Sequence, residues 1–285
     1  MQVQAVIAEL SRARANGQTY VTWAHFYEPH HPYAVHTGYD FGRSEERDRY
    51  ASEIAYLDAE LGRLFSFLEE SGAYRDTLVI VFSDHGEALG ERGYHGHHVY
   101  LDGFMTDVPL AVRAPGVAPR EVRGVVELTD VAATIAHFVG VPEAAGSAGS
   151  SLLAGDPPAD RVAISEAFPI RGRDLFAIAN TPVRSFAELE ARMALVHAGA
   201  KRYSPKVAIA TADYRLIVDR ETGVRELYRR GDPLVEPENV ARSEPRALTT
   251  LVDRLDRWHR ETAHAIYCTV RDAADPASMP AATVP

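Results

Sequence analysis

The chain has almost no cysteine and no long apolar run. Its one cysteine, Cys268, has no partner for an intramolecular disulfide bond. Cysteine content therefore does not indicate whether the protein works in an oxidising or a reducing compartment. No stretch approaches the roughly 18–20 apolar residues that span a bilayer. Residues Met1–Tyr20 lack the apolar core of a signal peptide. We therefore predict neither a transmembrane segment nor a signal peptide in this sequence.

Positive charge is also in short supply. The sequence holds 30 Lys and Arg residues against 40 Asp and Glu residues, which gives a net charge of −10. A broad nucleic-acid surface needs the opposite balance, so we expect no nucleic-acid partner. A locally positive site can still attract an anionic ester. With 46% hydrophobic and 25% charged residues, the 285-residue chain has the composition of a folded globular protein.

Helical and strand-like patterns alternate along the first half of the chain. Ser44 can cap a helix that ends at Gly72 and carries an apolar stripe at helical spacing: Tyr50, Ile54, Leu57, Leu61, Phe65 and Leu68. An apolar strand at Thr77–Phe82 follows, then a strand at Val108–Arg113 and a helix from Thr129 to Gly140. This order predicts an α/β fold with a mostly parallel sheet and helices on both faces.

A change of composition divides the chain. Residues 143–160 are rich in Ala, Gly, Ser and Pro, which predicts a loop or boundary between an α/β domain over 1–142 and a C-terminal subdomain over 161–271. The subdomain is predicted to hold a small antiparallel sheet and a terminal helix at Pro245–Thr262. Its strand-like runs are Val162–Ala167, Val207–Ala212, Tyr214–Val218 and Val224–Tyr228. Residues 272–285 are predicted to be a disordered tail.

The segment Ser83-Asp84-His85-Gly86-Glu87 closes the first apolar strand. Ligands collect just beyond the carboxyl ends of such strands. A carboxylate and an imidazole together suit a divalent cation that also holds an anionic oxygen. Gly86 permits the bend that brings Asp84 and His85 to one ion. The alternative is an ordinary turn in which Asp84 caps a backbone amide.

A second histidine group follows the strand-like run Tyr20–Phe26. His25, His30 and His31 fall within seven residues, and Pro29 and Pro32 restrict the backbone around them. A neutral imidazole can bind a metal, and a protonated one can donate to an anionic ester. His25 and His30 suit either role, while His31 is interpreted as a surface residue.

These segments together resemble a known family. His25-x-x-x-Pro29-His30-x-Pro32-Tyr33, a helix with Tyr50-x-x-Glu53-Ile54-x-Tyr56-x-Asp58, Ser83-Asp84-His85-Gly86-Glu87, Val108-Pro109-Leu110 and Ala114-Pro115-Gly116 occur in order. In this order they are similar to the sulfatase family of the alkaline phosphatase superfamily. A weaker similarity extends to Leu227-Tyr228 and to the segment from Asp232 to Asn239.

The resemblance implies roles for particular residues. It implies that Asp84 and His85 bind a divalent ion (Ca²⁺, Mn²⁺, Mg²⁺ or Zn²⁺). It implies that His30 and His97 contact the oxygens of an anionic ester substrate. His95 competes with His97 for its assignment, and His25 is an additional candidate because its spacing from His30 resembles that of one branch of the family.

The family's nucleophile motif, Cys/Ser-x-Pro-x-Arg, has no match in this sequence. In the family that motif precedes the Pro-His loop, but only 24 residues precede His25 here. Cys268-Thr269-Val270-Arg271 lacks the proline. We therefore expect the later part of a sulfatase catalytic domain, truncated and inactive alone. An exposed sheet edge would then favour a homo-oligomer or a complementing N-terminal half.

Three functions stay open on the sequence alone. The first is metal-dependent hydrolysis of sulfate esters, with phosphate or phosphonate esters as alternatives because the chain carries Asp-His where many arylsulfatases carry Asp-Asn. The second is transfer of phosphoethanolamine or phosphoglycerol groups. The third is a non-catalytic remnant or interaction domain that retains the fold.

Overall fold

The fold is described from a computed structural model that covers residues 2–41, 46–97, 100–142, 148–168, 205–231 and 238–262. The chain divides into two compact units. The first contains Met1–His97, Asp107–Val122 and Glu127–Asp156, and the second contains His98–Thr106, Arg123–Val126 and Pro157–Pro285. Four features of the sequence lie wholly or largely outside the described residues: the capping Ser44, the segment 232–239, the cysteine at 268 and the tail at 272–285.

Two helices pack together in the first unit. Helix α1 spans Gln2–Ala15 and helix α2 spans Glu46–Glu70. Leu10, Leu68 and Ala73 form a buried cluster between them, to which part of the predicted stripe of α2 contributes. Gly72 follows α2 with a φ of 72°, a left-handed conformation that suits glycine and ends the helix near the predicted residue.

The strand pairs of the first unit are antiparallel, whereas the sequence predicts a mostly parallel sheet. Strand β1, Val79–Phe82, pairs antiparallel with β4, Leu110–Arg113, and the short strands β2, Ala88–Leu89, and β3, His95–Gly96, form an antiparallel pair. The mostly parallel sheet is therefore wrong for the described strands. Parallel neighbours need a crossover of a dozen or more residues, usually a helix. The described residues between β1 and β4 contain only short helical turns, the 3-10 turn Glu91–Gly93 and the four-residue helix α3, Gly103–Thr106.

Helix α4, Thr129–Val139, ends at Gly140 as predicted and is tied to the segment that follows it. The carboxylate of Asp130, fully buried, accepts hydrogen bonds from the backbone N–H groups of Glu127 at 2.9 Å and Ser150 at 2.8 Å. Between these contacts, Gly149 lies so close to the helix that a Cβ there would be 2.1 Å from the carbonyl oxygen of Thr129. We call residues 149–152 the α4 strap.

The second unit contains the predicted antiparallel sheet. Its order is β5-β6-β7-β8 and every neighbouring pair is antiparallel. The strands are Ala163–Ala167, Lys206–Ala210, Tyr214–Asp219 and Arg225–Arg229. Helix α5 spans the predicted Pro245–Thr262, and its Leu251 and Leu255 pack into the sheet core with Val207, Ile209, Leu216 and Leu227. None of the helices in the described ranges is long and apolar enough to cross a membrane.

Candidate functional site

Asp84 and His85 lie in a tight bend directly after β1. The backbone N–H of Ser83 donates to the carbonyl of Pro109 at 3.3 Å, which joins the end of β1 to the start of β4. The Ser83 hydroxyl donates to the carbonyl of His85 at 2.6 Å, and the N–H of His85 donates to Asp84 Oδ1 at 3.0 Å. The chain therefore bends at the point that the sequence predicts. Such a bend is part of both interpretations of the motif, the metal-binding pair and the ordinary turn capped by Asp84.

The His85 ring is held in one tautomer. Its Nδ1 lies 2.8 Å from the carbonyl oxygen of Gly86, and because a carbonyl only accepts, Nδ1 carries the proton. The lone pair of the neutral ring is then on Nε2, which lies 3.9 Å from Asp84 Oδ2. Two donors bound to one ion at about 2.0–2.2 Å are about 3–3.6 Å apart in ordinary geometries. A small movement would therefore let both atoms bind one cation.

Among the described residues, a third acidic, histidine or cysteine ligand does not accompany this pair. Across the described ranges, no group of three or more such side chains is arranged to hold an ion. Asp84 and His85 are also well exposed, at 62% and 42% of their side-chain surface. Water would fill most of the coordination shell of an ion bound here, which makes the expected affinity modest.

Two further predicted histidines lie beside this pair. The His97 ring stacks on the His85 ring with centroids 4.6 Å apart and planes inclined by 29°. The His30 ring lies 5.0 Å from the His97 ring. His97 Nδ1 is 3.3 Å from both carboxylate oxygens of Glu87, whose side chain is only 5% exposed. Glu87 thus holds the His97 ring from the protein side.

His30 has the same tautomer as His85 for the same reason. Its Nδ1 lies 2.7 Å from the carbonyl oxygen of His31, so Nδ1 is the donor and Nε2 carries the lone pair of the neutral ring. The Tyr27 ring lies 4.4 Å from it. The peptide bonds before Pro29 and Pro32 are both cis.

The two other candidate histidines do not join this cluster. His95 Nδ1 lies 2.8 Å from Glu46 Oε2 and its side chain is 63% exposed, so it belongs to a surface pair with helix α2. His25 is exposed, and none of the ring contacts that connect His30, His85 and His97 reaches it. Of the competing residues His95 and His97, the geometry favours His97.

The sequence does not reveal the groups that support the histidines. Glu87 and Glu53 stand in it only as members of the motifs, and no spacing connects either carboxylate to a histidine. Glu53 is 4% exposed, and its carboxylate accepts hydrogen bonds from the backbone N–H groups of His30 and Ala34. Its position at helical spacing between Arg49 and Tyr56 is the one signal that the sequence offers.

A buried tyrosine completes the surroundings. Tyr33 is 2% exposed, and burial together with the neighbouring Glu87 carboxylate raises its pKa far above the ordinary value. Burial and the carboxylates of Glu87 and Glu53 also raise the pKa of Tyr50, whose ring lies 5.4 Å from that of Tyr33. Both phenols stay neutral at physiological pH, so they add no negative charge beside the histidines.

Known proteins share these segments. The sequence pattern of the sulfatase family matches residues 2–141. The choline-sulfatase of Rhizobium meliloti (strain 1021) is 36% identical over 95 residues, which are 33% of this chain and 18% of that protein. The multifunctional alkaline phosphatase superfamily protein PehA of Trinickia caryophylli is 36% identical over 111 residues, which are 38% of this chain and 21% of that protein.

The fold has solved relatives as well. The crystal structure of the Bacteroides fragilis protein yidJ matches with a TM-score of 0.67 at 17% identity, over 92% of this chain and 58% of that chain. This chain spans about a fifth of the length of the two curated relatives. The ordered motifs, the family pattern and the fold agree. This chain therefore belongs, through its residues 2–141, to the sulfatase family of the alkaline phosphatase superfamily.

Proposed function

We propose that this chain supplies the metal- and ester-facing part of a sulfatase-type site that acts on sulfate or phosphate-type esters. One observation carries the proposal most directly. The rings of His30, His85 and His97 form a continuous contact beside Asp84, at the end of a strand. Residues separated by more than 50 positions in the sequence are thus brought to one surface, as a shared substrate would require.

A divalent cation fits the pair after β1. Asp84 Oδ2 and His85 Nε2 would hold it, since one is an anionic oxygen and the other a nitrogen whose lone pair is directed away from the Gly86 carbonyl. Such an ion polarises an oxygen of a bound ester and neutralises part of its charge. The identity of the metal stays open among Ca²⁺, Mn²⁺, Mg²⁺ and Zn²⁺.

His30 and His97 would contact the ester itself. Each ring has its Nδ1 beside an acceptor, the His31 carbonyl for His30 and the Glu87 carboxylate for His97. A protonated ring keeps that hydrogen bond and offers its second N–H to a sulfate or phosphate oxygen. The two rings therefore act as donors that orient the ester, and a protonated ring can also give its proton to a leaving oxygen.

Phosphate-type esters are the second candidate class. The specific observation in their favour is His85, where many arylsulfatases carry Asn. The similarity to PehA, whose name describes a multifunctional alkaline phosphatase superfamily protein, agrees with a broader ester specificity. Transfer of phosphoethanolamine or phosphoglycerol groups, and an interaction domain without catalysis, have no contact of their own in the described residues to support them.

The metal-binding part of the proposal is tested by thermal shift. We expect Ca²⁺, Mg²⁺, Mn²⁺ or Zn²⁺ to raise the melting temperature of the chain, because an ion that binds only the folded state stabilises it. Asp84→Ala should abolish that shift, while His30→Ala should retain most of it. Asp76→Ala is the matched control, since Asp76 is an exposed carboxylate of the same unit at 75% side-chain exposure. Equal metal responses in wild type and Asp84→Ala would refute the assignment.

The ester-binding part needs a separate assay. Aryl sulfate and aryl phosphate esters should each be offered with the metal that gave the largest thermal shift. Ester binding lost in both His30→Ala and His97→Ala, and retained in His95→Ala, is the expected result. A dependence on His95 in place of His97 would reverse the assignment of these two residues.

A further inference from the structure

One face of helix α2 is polar and is turned toward the loop that carries His30. The residues on it stand at positions i, i+3, i+4 and i+7 of the helix: Arg49, Ser52, Glu53 and Tyr56. Ser52 is fully buried and Glu53 is 4% exposed. Buried polar side chains on a helix that otherwise carries an apolar stripe require hydrogen-bond partners. Hydrogen-bond and stacking partners of these side chains lie in loop residues 30–36.

Glu53 makes the central contact. Its Oε2 accepts the backbone N–H of His30 at 3.0 Å, and its Oε1 accepts the backbone N–H of Ala34 at 2.6 Å. The two oxygens of one carboxylate thus bridge two amides four positions apart. Hydrogen bonds to an ionised acceptor are about twice as strong as those between neutral groups. The bridge therefore fixes both ends of the turn that contains His30.

The neighbouring side chains hold the rest of the loop. Arg49 donates to the carbonyls of Pro32 and Tyr33, and Ser52 Oγ accepts the N–H of His36 at 3.1 Å. The His36 ring stacks on the Tyr56 ring at 3.9 Å, with planes inclined by only 7°. Side chains of helix α2 thus form hydrogen bonds with backbone groups of the loop that would otherwise bind water.

The placement of the His30 ring depends on this framework. Its Nδ1 donates to the carbonyl of His31, the next residue in the same turn, and its ring meets His97 across the site. If the backbone of residue 30 rotates, the Nδ1 contact breaks and Nε2 no longer faces the site. A buried carboxylate is costly to desolvate, and an apolar residue would fill the same volume without hydrogen-bonding either amide.

We propose that Glu53 is a positioning residue, which fixes the backbone of His30 and thereby holds its ring in the Nδ1–H tautomer with Nε2 toward the ester. The inference rests on the proposed function in that it takes His30 as a group that faces the ester. Glu53 contacts no part of that ester. It acts through the two backbone amides and the ring that they place.

The experiment uses the full chain labelled with ¹⁵N-histidine. Glu53→Gln keeps the shape of the side chain but places an NH₂ group against one of the two amides, so one hydrogen bond is lost. The matched control is Glu70→Gln, an exposed carboxylate on the same helix with the same change of charge. In wild type and the control, long-range ¹H–¹⁵N spectra should show His30 in one tautomer. In Glu53→Gln they should show a mixture, with the signals of His259 unchanged.

Binding of inorganic phosphate gives the second readout. We expect Glu53→Gln to weaken it roughly tenfold, the lower end of the loss that follows when a group supporting a metal-binding histidine is changed. A tautomer change in Glu53→Gln without phosphate binding in wild type would support the positioning role and refute the proposed ester site. Unchanged His30 signals with equal phosphate affinity would refute the positioning role and leave the ester site intact.

A measurement on the wild-type chain covers the case in which Glu53→Gln does not fold. The amides of His30 and Ala34 are bonded to a buried carboxylate, so their hydrogen exchange should be slowed relative to that of exposed loop amides such as Thr37. Protection of both amides is the expected result. Exchange of both at the rate of an exposed loop would overturn the inference by itself.

Discussion

Single residues at the site differ in how far the sequence reveals them. Asp84 and His85 are predictable because a strand end, a bend at Gly86 and a motif all coincide at one place. Spacing favours His97 over His95, but a two-residue difference in a loop does not determine which ring turns inward. Glu53 illustrates a further limit: the sequence gives its place on a helix but not the amides of a loop 19 to 23 residues away.

The raised pKa of Tyr33 predicts how the stability of the chain changes in alkali. Its pKa is raised in the folded state, whereas the unfolded residue ionises near the ordinary value of about 10. As pH rises above that value the unfolded state loses the proton first, so the free energy of unfolding falls by up to about 1.4 kcal/mol per pH unit. Below a pH of about 10, Tyr33 is protonated in both states and causes no loss of stability.

Tyr33→Phe should therefore reduce the loss of stability in alkali. The measurement is urea unfolding at about pH 8 and about pH 11 for wild type, Tyr33→Phe and the control Tyr39→Phe, which loses a hydroxyl from a less buried ring of the same unit. Tyr50 also has a raised pKa, so part of the slope should persist. An identical alkaline slope in all three proteins would contradict the assignment to Tyr33.

Among the elements, β5 to β8 and α5 are the ones that the sequence predicts best. Strands β6, β7 and β8 follow one another with short connections, so their partners lie next to them in the chain, and their apolar residues predict burial. Residues 168–205 separate β5 from β6. Strand β1 is different. Its apolar run predicts burial but says nothing about its partner, and its neighbour β4 lies beyond a long loop and runs antiparallel. Alternation of helices and strands therefore led to the wrong sheet direction.

An ionic link joins α5 to the sheet of the second unit. Arg220, just after β7, donates to Glu166 Oε1 of β5 at 2.6 Å and to His259 Nε2 of α5 at 2.8 Å. Burial and the Arg220 charge lower the pKa of His259, against the opposite effects of Glu166 and Asp256. The folded state thus favours neutral His259, whose Nε2 accepts from Arg220.

Acid should weaken this link. The unfolded His259 takes up a proton near its ordinary pKa of about 6.5, before the folded residue does, so stability is full above that pH and falls as pH decreases through it. Because the ring is partly solvated, we expect the loss of stability to be small. His259→Gln should flatten the dependence between about pH 8 and about pH 5 in urea unfolding, and the exposed His25→Gln should not. A slope unaffected by His259→Gln would exclude this origin.

At the scale of the whole molecule, apolar surface is left uncovered on the segment before the His30 loop. Val21 and Trp23 are 79% and 72% exposed, and residues 20–27 pair with none of the described strands. Trp23 does touch Phe82 of β1, with ring centroids 5.5 Å apart. The sequence predicted a strand here, and an unpaired, apolar segment of this kind favours association with another chain.

We expect this chain to self-associate in a concentration-dependent manner. Sedimentation velocity over a range of concentrations should show species larger than the 31.3 kDa chain, and Trp23→Lys should shift them toward the monomer. The matched control Val224→Lys adds the same charge to an exposed valine of the second unit, 56% exposed, and should leave association unchanged. A wild-type chain that stays monomeric at every concentration would rule this association out.

The α4 strap has a consequence for how this sequence can vary. With a Cβ at position 149 only 2.1 Å from the Thr129 carbonyl, every amino acid except glycine would force the strap off the helix and separate Ser150 from Asp130. The exposed Val139 and Val141 at the other end of α4, at 49% and 54%, face no such restriction. In a library of random substitutions selected for folded protein, residue 149 should stay glycine in nearly every survivor while those two valines drift freely.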